Sequence, residues 1–424
     1  MNFLRTNIRD RRSEIGGRFP NPLSGLLSSF AIPCCILLSG VVRAAPPSSF
    51  QRLQVPEQGA YTGAYVDFGD GEDGVTLEAL EKFQDLTGKP MAIVAFGSFW
   101  ARQAFPSEQV ALIRAYGAVP LLFWSPWDAP FDEKRGPDKY ALTEILVGKW
   151  DAYIDAWADA AAKVPSQFFV SFACEMNGTW FPWSGWFYGK GPPDPITPKK
   201  SGDATGALAK LTGADDRPEK SWYGKGDIKN PATWQGPETY KKAWRYVVDR
   251  VRARGATNIL WVFQPNNYSD PPGYSTWNQP AAYYPGAAYV DWLGLSVYGK
   301  QTNNREDDKW CGFTSLLEWP YREMCALDST KPIMLAEWGV TESHAPGEDK
   351  GAWISEAFSN MSNRYPRLKA AIFWHERWEN DDGSYSNLRV NSSRESLKSY
   401  REGVANPFWI GRPAWAGPLG NILK

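Results

Sequence analysis

Two glutamates stand at the ends of apolar segments that have the composition of buried strands. Glu175 closes the run FFVSFACE at residues 168–175, and Glu337 lies in the run PIMLAEWG at residues 332–339. If both runs are strands of one closed barrel, their carboxyl ends meet at the same mouth and the two side chains can face each other. Two carboxyls about 5–5.5 Å apart are the arrangement of a retaining glycosidase, in which one donates a proton and the other attacks the anomeric carbon. Mutual repulsion and neighbouring aromatic rings would raise the pKa of the acid.

Tryptophans crowd the segment that follows Glu175. Trp180, Trp183 and Trp186 come at intervals of three, within a chain that has 22 Trp and 19 Tyr but only 2 His. Aromatic rings offer large flat apolar surfaces, and sugars present matching apolar faces. The pattern favours rings that form the floor of a cleft and stack on sugars. The alternative is that the same rings only anchor the loop to the barrel.

Other groups of reactive side chains are weaker candidates. Cys174 with His344 or His375 does not form a recognisable thiol-hydrolase motif. His375 and Glu376 supply two metal ligands where a catalytic zinc usually needs three, so His375 is interpreted as a core or sugar-contacting residue. The segment GDGEDG at residues 69–74 lacks the ligand spacing of a calcium loop and is interpreted as a solvated turn. No metal or organic cofactor is implied.

Eight short apolar runs recur along the chain, and most are continuous rather than alternating, as expected for strands buried on both faces of a parallel sheet. The runs are residues 63–68, 91–99, 119–125, 168–175, 258–266, 290–299, 332–339 and 370–376. Helical periodicity is found between them, at residues 76–86, 106–116, 140–163, 238–254, 314–327, 350–364 and 394–403. The link after the fifth run is irregular. This alternation predicts an α/β fold, a single (β/α)8 TIM barrel over residues 45–424, with no second domain.

One connection is unusually long. Roughly sixty residues rich in Gly, Pro, Lys and Trp separate Glu175 from the helix at Glu238. The insertion leaves the carboxyl end of strand four, where barrel enzymes build their sites. The tail at residues 400–424, with Trp409 and Trp415, is expected to pack against the opposite end of the barrel.

The first 44 residues have the pattern of an export signal. Five arginines precede the apolar run at residues 23–42, and Val42 and Ala44 are the small residues of a cleavage site after Ala44. The pattern predicts a secreted or periplasmic protein, with an uncleaved membrane anchor as the alternative.

The cysteines of an exported chain can form disulfides. Cys34 and Cys35 would leave with the signal, which keeps an odd number in the mature chain. Cys311 and Cys325 are close enough in sequence to pair, and Cys174 would then be a lone thiol.

A formal net charge of −1 excludes the strongly basic surface of a nucleic-acid-binding protein. The expected partner is a polysaccharide substrate, and the expected state is a monomer, with membrane anchoring only through the N-terminal segment.

The two glutamate motifs resemble those of glycoside hydrolase family 26, the mannanase, lichenase and xylanase family of clan A. CEMNGTWFPW is similar to the acid/base motif and LAEWG to the nucleophile strand. WVFQPN, GLSVYG and IFWHERWEN are similar to the fifth, sixth and eighth strands, so the resemblance spans roughly residues 60–390.

The resemblance implies roles for individual residues. Glu175 would be the proton donor and base, Glu337 the nucleophile, and Tyr298 a hydrogen-bond donor to that nucleophile. Trp180 and Trp374 would line the sugar subsite next to the scissile bond. The other expected substrate-binding residues are Asn177, Trp183 and His375.

The chain departs from the family pattern at one position. Family members commonly have His directly before the acid/base, and this chain has Cys174. A thiol is a weak hydrogen-bonding group, so substrate preference and the pKa of the acid are expected to differ.

The sequence therefore predicts a retaining, endo-acting β-glycanase that hydrolyses β-1,4-linked polysaccharide, either β-mannan or mixed-linkage β-glucan. Two alternatives stay open: a polysaccharide-binding barrel that does not cleave, and a transglycosylase that tailors exopolysaccharide.

Overall fold

Eight parallel strands close into a barrel in the computed structural model, which describes residues 50–69, 71–127, 139–189, 235–270, 276–306, 308–380 and 382–417. The strands are β1 Ala60–Val66, β2 Ile93–Phe99, β3 Val119–Ser125, β4 Phe168–Phe172, β5 Ile259–Phe263, β6 Trp292–Tyr298, β7 Ile333–Gly339 and β8 Leu368–His375. Neighbours pair in chain order, and β1 also pairs with β8, which closes the sheet. Each of the eight apolar runs overlaps one of these strands, so the predicted barrel is confirmed.

Helices cover the outside of the barrel, which explains why the strands are buried on both faces. They are α1 Leu77–Thr87, α2 Ser107–Tyr116, α3 Leu142–Leu146, α4 Asp151–Ala161, α5 Gly236–Ala253, α6 Pro280–Tyr283, α7 Phe313–Leu327, α8 Lys350–Arg364 and α9 Arg394–Ala405. Short 3-10 turns lie at Trp100–Arg102, Gly185–Tyr188, Thr276–Asn278 and Ala287–Tyr289. The single helix predicted over residues 140–163 is wrong, because Gly148 adopts φ 81° and separates α3 from α4.

The link between β5 and β6 is irregular, as predicted. It contains only the four-residue helix α6 and two 3-10 turns, so no long helix covers this part of the described barrel.

The C-terminal tail packs at the bottom of the barrel. Trp409–Ile410 pairs in parallel with Ala60 and Tyr61, at the amino end of β1. Trp415–Ala416 pairs antiparallel with Arg52–Leu53. The predicted position of the tail is therefore confirmed for residues 409–416, at the end of the barrel away from the carboxyl ends of the strands.

The suggested pairing of Cys311 with Cys325 is wrong, since both are free thiols. Cys311 precedes α7 and Cys325 lies in its last turn. A helix rises about 1.5 Å per residue, so the twelve residues from Phe313 to Cys325 hold the two apart by roughly 18 Å. A disulfide needs Cα atoms within about 7 Å.

Several predictions fall on parts of the chain outside the described residues. They are the export signal with Cys34 and Cys35, and most of the long insertion after Glu175, at residues 190–234. Within the described ranges, no helix combines the length and the apolar character needed to span a bilayer.

Candidate active site

Glu175 is presented by a strained turn at the carboxyl end of β4. Ala173 has φ 48° and Glu175 has φ 53°, a region that residues with a Cβ seldom occupy. Such backbone conformations cost about 1–3 kcal/mol each and persist only where surrounding contacts hold them. Here the Glu175 amide donates to the Gln264 carbonyl at 2.7 Å, and the Trp183 indole donates to the Cys174 carbonyl at 2.6 Å.

Glu337 lies in β7 with two hydrogen-bond donors on its carboxyl. The Tyr298 hydroxyl donates to Oε2 at 2.7 Å, and the Gln264 amide donates to Oε1 at 2.8 Å. The hydrogen bond from Tyr298 is the one that the family resemblance implies. Two donors from two neighbouring strands fix the orientation of this buried carboxyl and favour its charged form.

A short network joins the two glutamates at the same mouth of the barrel. Gln264 also donates to the Ser296 hydroxyl at 2.9 Å, and Ser296 lowers the pKa of the nearby Glu175 carboxyl. Ser296 pairs with Glu337 in the register of β6 and β7. Glu175 and Glu337 are thus linked through Gln264, whose carbonyl accepts from the Glu175 amide and whose side-chain amide donates to the Glu337 carboxyl. Sequence reasoning did not single out Gln264 or Ser296, although each is a polar residue that interrupts an otherwise apolar run.

Burial raises the pKa of both carboxyls. For Glu337 burial and then the negative charge of Glu175 raise the pKa, and the hydrogen bonds from Tyr298 and Gln264 oppose the rise. For Glu175 burial raises the pKa, and hydrogen bonds from Ser296 and Trp180 partly oppose the rise. Two buried carboxyls that repel each other favour a state in which the pair holds one proton. One group is then an acid and the other a potential nucleophile.

Aromatic rings flank Glu175 on its open side. The Trp180 indole donates to Glu175 Oε2 at 2.7 Å, and its ring lies 6.2 Å from the ring of Tyr268. Tyr268 is 57% exposed. The sequence analysis named Trp180 but not Tyr268, which lies on the loop after β5.

Trp374 lies inside the mouth, at the end of β8. Its ring stacks on Tyr65 with centroids 4.1 Å apart, and its indole donates to Glu376 Oε2 at 2.6 Å. Phe123 approaches it from β3 with centroids 5.8 Å apart. One face of the ring is therefore covered by Tyr65, and its role next to the scissile bond stays a prediction.

The prediction that Trp183 contacts substrate is contradicted by its burial. Only 1% of the side chain is exposed, and its ring stacks on Phe181 with centroids 4.6 Å apart. Trp186 is equally buried. The rings of Trp183 and Trp186 anchor the loop to the barrel. Of the three spaced tryptophans, only Trp180 contacts a catalytic carboxyl.

Asn177 is also a structural residue and not a sugar contact. Its side chain is completely buried, its amide donates to the carbonyls of Asn266 and Tyr268, and its oxygen accepts from the Asn266 amide at 2.9 Å. These bonds join the loop after β4 to the loop after β5. The predicted substrate-binding role is corrected to one of positioning the turn that carries Glu175.

His375 faces the helical layer and not the mouth. Its ring packs edge-on against Phe83 of α1, and its Nδ1 accepts from the Val390 amide at 2.9 Å. Burial lowers its pKa to about 3, so the imidazole is neutral. The alternation of side chains along β8 explains the correction, since Trp374 points inward and the next residue points outward.

Cys174 is buried, and its thiol pKa is raised well above the usual range, first by burial and then by the charges of Glu337 and Glu175. It is therefore a protonated thiol without nucleophilic character. Among the described residues, no three His, Cys, Asp or Glu side chains group together as metal ligands.

Comparisons with known proteins point to one family. The model of glycosyl hydrolase family 26 matches residues 217–317. Endoglucanase H of Acetivibrio thermocellus is 28% identical over 385 residues, which cover 87% of this chain and 34% of that protein. Mannan endo-1,4-β-mannosidase A and B of Caldalkalibacillus mannanilyticus is 30% identical over 140 residues, 33% of this chain and 22% of that protein. The chain thus spans about a third or less of the length of these two relatives.

Solved structures share the barrel. GH26C from Muricauda sp. MAR_2010_75 superposes with a TM-score of 0.54 and 14% identity, covering 84% of this chain and 87% of that one. An endo-β-1,4-mannanase double mutant from Cellulomonas fimi gives a TM-score of 0.51 and 18% identity, covering 84% of this chain and 73% of that one. At this identity the likeness concerns the fold alone.

Proposed function

The chain belongs to glycosyl hydrolase family 26, and we propose that it is an endo-acting β-glycanase that cleaves β-1,4-linked polysaccharide by a retaining double displacement. One observation carries the proposal. Two buried glutamates at the same mouth of the barrel are joined through Gln264, in surroundings that favour one shared proton.

The first step forms a covalent intermediate. A Glu337 carboxylate oxygen attacks the anomeric carbon while the Glu175 carboxylic acid gives its proton to the departing glycosidic oxygen. The C–O bond to the leaving sugar breaks, and a glycosyl ester on Glu337 forms. In the second step Glu175, now a carboxylate, takes a proton from water, whose oxygen attacks the same carbon and releases Glu337. Two inversions give net retention.

The surroundings of the two glutamates support this division of roles. Glu337 is held on a strand by the hydroxyl of Tyr298 and the amide of Gln264, which orient it and stabilise its ionised form. Glu175 stands on a turn beside Trp180 and the exposed ring of Tyr268. Those rings offer a stacking surface for the sugar that departs, which is the sugar that must accept the proton.

The candidate substrates are mixed-linkage β-glucan and β-mannan. The relative named an endoglucanase aligns over most of this chain, whereas the relative named a mannosidase aligns over a third of it. This difference favours β-glucan as the first substrate to examine. Mannose and glucose units differ in one hydroxyl, which the details of the pocket must discriminate.

A panel of purified polysaccharides tests the function. We expect release of reducing ends from mixed-linkage β-glucan or β-mannan, with product sizes of internal cleavage, and no release by a Glu337→Ala protein prepared in parallel. Binding to a polymer without new reducing ends would contradict hydrolysis and support a binding barrel. Products larger than the starting oligosaccharide would support the transglycosylase.

Trp180→Phe is expected to move the alkaline limb of the pH–activity profile to higher pH. The Trp180 indole stabilises ionised Glu175 and so lowers its pKa. Phe keeps a ring but donates no hydrogen bond, so the pKa rises and the acid stays protonated to higher pH. A bond of about 1 kcal/mol corresponds to roughly 0.7 pH unit.

Trp319→Phe is the matched control for that shift, because Trp319 is an exposed ring on α7. Its pH profile should equal that of the wild type. An unchanged limb in Trp180→Phe, or a limb at lower pH, would contradict the role given to the indole.

We further propose that the chain is exported, on the strength of the arginine-rich and apolar segment before Ala44. N-terminal sequencing of the secreted or periplasmic protein should begin at Ala45. Recovery of the full-length chain in the membrane fraction would support an anchor instead.

A further inference from the structure

Glu72 reaches the barrel mouth from the loop after β1. Its backbone adopts φ 50°, and its amide donates to the Gly69 carbonyl at 2.7 Å. Its carbonyl accepts from the Gly97 amide at 2.9 Å, which ties the loop to the end of β2. The interpretation of residues 69–74 as a solvated turn is wrong for this residue, since the Glu72 side chain is only 7% exposed.

The missing side chain of Gly97 makes room for the Glu72 carboxyl inside the barrel. Gly97 pairs in register with Phe123, whose ring meets Trp374 across the barrel, so this face of β2 and β3 is the interior face. A Cβ added at Gly97 would lie 2.8 Å from Phe99 Cε2, 2.9 Å from Glu72 Cβ and 3.0 Å from Glu72 Oε2. Any residue other than Gly at position 97 would place its side chain in the space that the Glu72 carboxyl occupies.

The charged groups that raise the pKa of the Glu72 carboxyl are all acidic. They are Glu376, Glu337 and Asp73, and their charges add to burial in raising its pKa. No side chain within the described ranges donates a hydrogen bond to it. The carboxyl oxygens therefore keep free acceptor sites at the mouth of the barrel, which a bound molecule rich in hydroxyl donors can fill.

The position of Glu72 indicates which sugar could supply those donors. Glu72 lies against Gly97, which pairs in register with Phe123, and the Phe123 ring lies 5.8 Å from that of Trp374. The aromatic pair Trp180 and Tyr268 lies instead at Glu175, beside the leaving sugar. The sugar that stays on the enzyme during the first step therefore lies on the side of Glu72.

We propose that Glu72 is a substrate-binding residue that accepts a hydrogen bond from a hydroxyl of a glycone sugar held beside Trp374. The inference rests on the proposed glycanase function and adds a specificity contact to it. A buried carboxyl fits a hexopyranose unit, which can present hydroxyl donors while its ring contacts an aromatic surface.

The test compares two substrates of Glu72→Ala. One is the polysaccharide that the wild type cleaves best, and the other is an aryl β-glycoside with the same glycone and no leaving sugar. We expect kcat/KM to fall by about 10- to 100-fold on both, the loss typical of one hydrogen bond to a charged group, with KM raised. Melting temperature should be unchanged or higher, because a carboxyl disfavoured by burial and by neighbouring negative charges is removed. Glu81→Ala, an exposed carboxyl on α1, is the matched control.

Gly97→Ala gives an independent variant, since its methyl group must displace the Glu72 carboxyl. It should reproduce the loss in kcat/KM, and combined with Glu72→Ala it should add little further loss. If the losses of Gly97→Ala and Glu72→Ala add fully in the double variant, the proposal that the new methyl group and the Glu72 carboxyl compete for the same space is contradicted. If Glu72→Ala does not fold, Glu72→Gln, of nearly equal volume, is measured in its place, with a smaller expected loss.

The outcomes separate this inference from the proposed function. Absence of hydrolysis by the wild type would count against the function, and calorimetric binding of the corresponding oligosaccharide to wild type and Glu72→Ala would still test the contact. Equal affinity, or an active Glu72→Ala with wild-type KM, would overturn it. A shifted pH optimum with unchanged KM would also overturn it, because Glu72 would then act only through the charge of Glu337.

Discussion

Glu337→Ala is expected to abolish hydrolysis, with kcat lower by about 10⁴-fold or more on every substrate, as found when a covalent nucleophile is removed. The reason is chemical: no other group then stands at the anomeric carbon to form the glycosyl ester. The loss should not depend on the leaving group, since an activated aryl glycoside needs the nucleophile as much as a polysaccharide does. Steady-state rates on both substrates measure it.

The control for Glu337→Ala is Glu402→Ala, an exposed carboxyl on α9. Circular dichroism and thermal melting must show that both variants are folded. A folded Glu337→Ala protein with activity within ten-fold of the wild type would contradict the assignment of the nucleophile.

Glu175→Ala is expected to behave differently on different leaving groups. Polysaccharide hydrolysis should be nearly lost, because a sugar alkoxide needs a proton to depart. An aryl glycoside with a good leaving group needs little acid, so its glycosyl ester should form. The ester should then accumulate, because no base activates water. A burst of released phenol followed by a slow steady rate is the expected time course.

Azide should rescue Glu175→Ala and give a β-glycosyl azide. The anion needs no deprotonation, and it enters through the space left by the lost carboxylate to attack the ester on Glu337. On Glu337→Ala, azide enters from the vacated nucleophile side and attacks the substrate directly, which gives the α-glycosyl azide. Product analysis by NMR distinguishes the two. Opposite anomers from the two variants would reverse the roles of Glu175 and Glu337.

The barrel was predictable because its strands are buried on both faces and therefore read as continuous apolar runs. The glutamates were predictable for a related reason. A carboxyl at the end of such a run must lie at the rim, and rims of parallel barrels gather the ends of all eight strands. The positions of Glu175 and Glu337 at the ends of apolar runs therefore indicated both the barrel fold and the candidate site.

Side-chain direction was the part that sequence could not supply. Asn177 and Trp183 share a loop with Trp180, yet the first two are buried under it and only the third reaches Glu175. The path of an irregular loop depends on long-range partners such as the carbonyl of Asn266, and no periodicity encodes these.

Polar residues inside apolar runs carried a weaker signal. Gln264 directly follows β5 and Ser296 lies inside β6, and only the pairing of β5, β6 and β7 brings them close to the two glutamates. The sequence analysis placed Glu72 in a solvated turn. The space that its side chain occupies exists because position 97, which is 25 positions further along the chain, is a glycine.

Trapping the covalent intermediate tests the central claim most directly. A 2-deoxy-2-fluoro β-glycoside of the preferred sugar, with a dinitrophenyl leaving group, should inactivate the wild-type enzyme and leave a fluorosugar ester. Peptide mass spectrometry should locate that ester on Glu337, within the β7 peptide. A label on Glu175 would contradict the assigned roles, and inactivation with no covalent label, together with inversion of the product anomer, would contradict the double displacement itself.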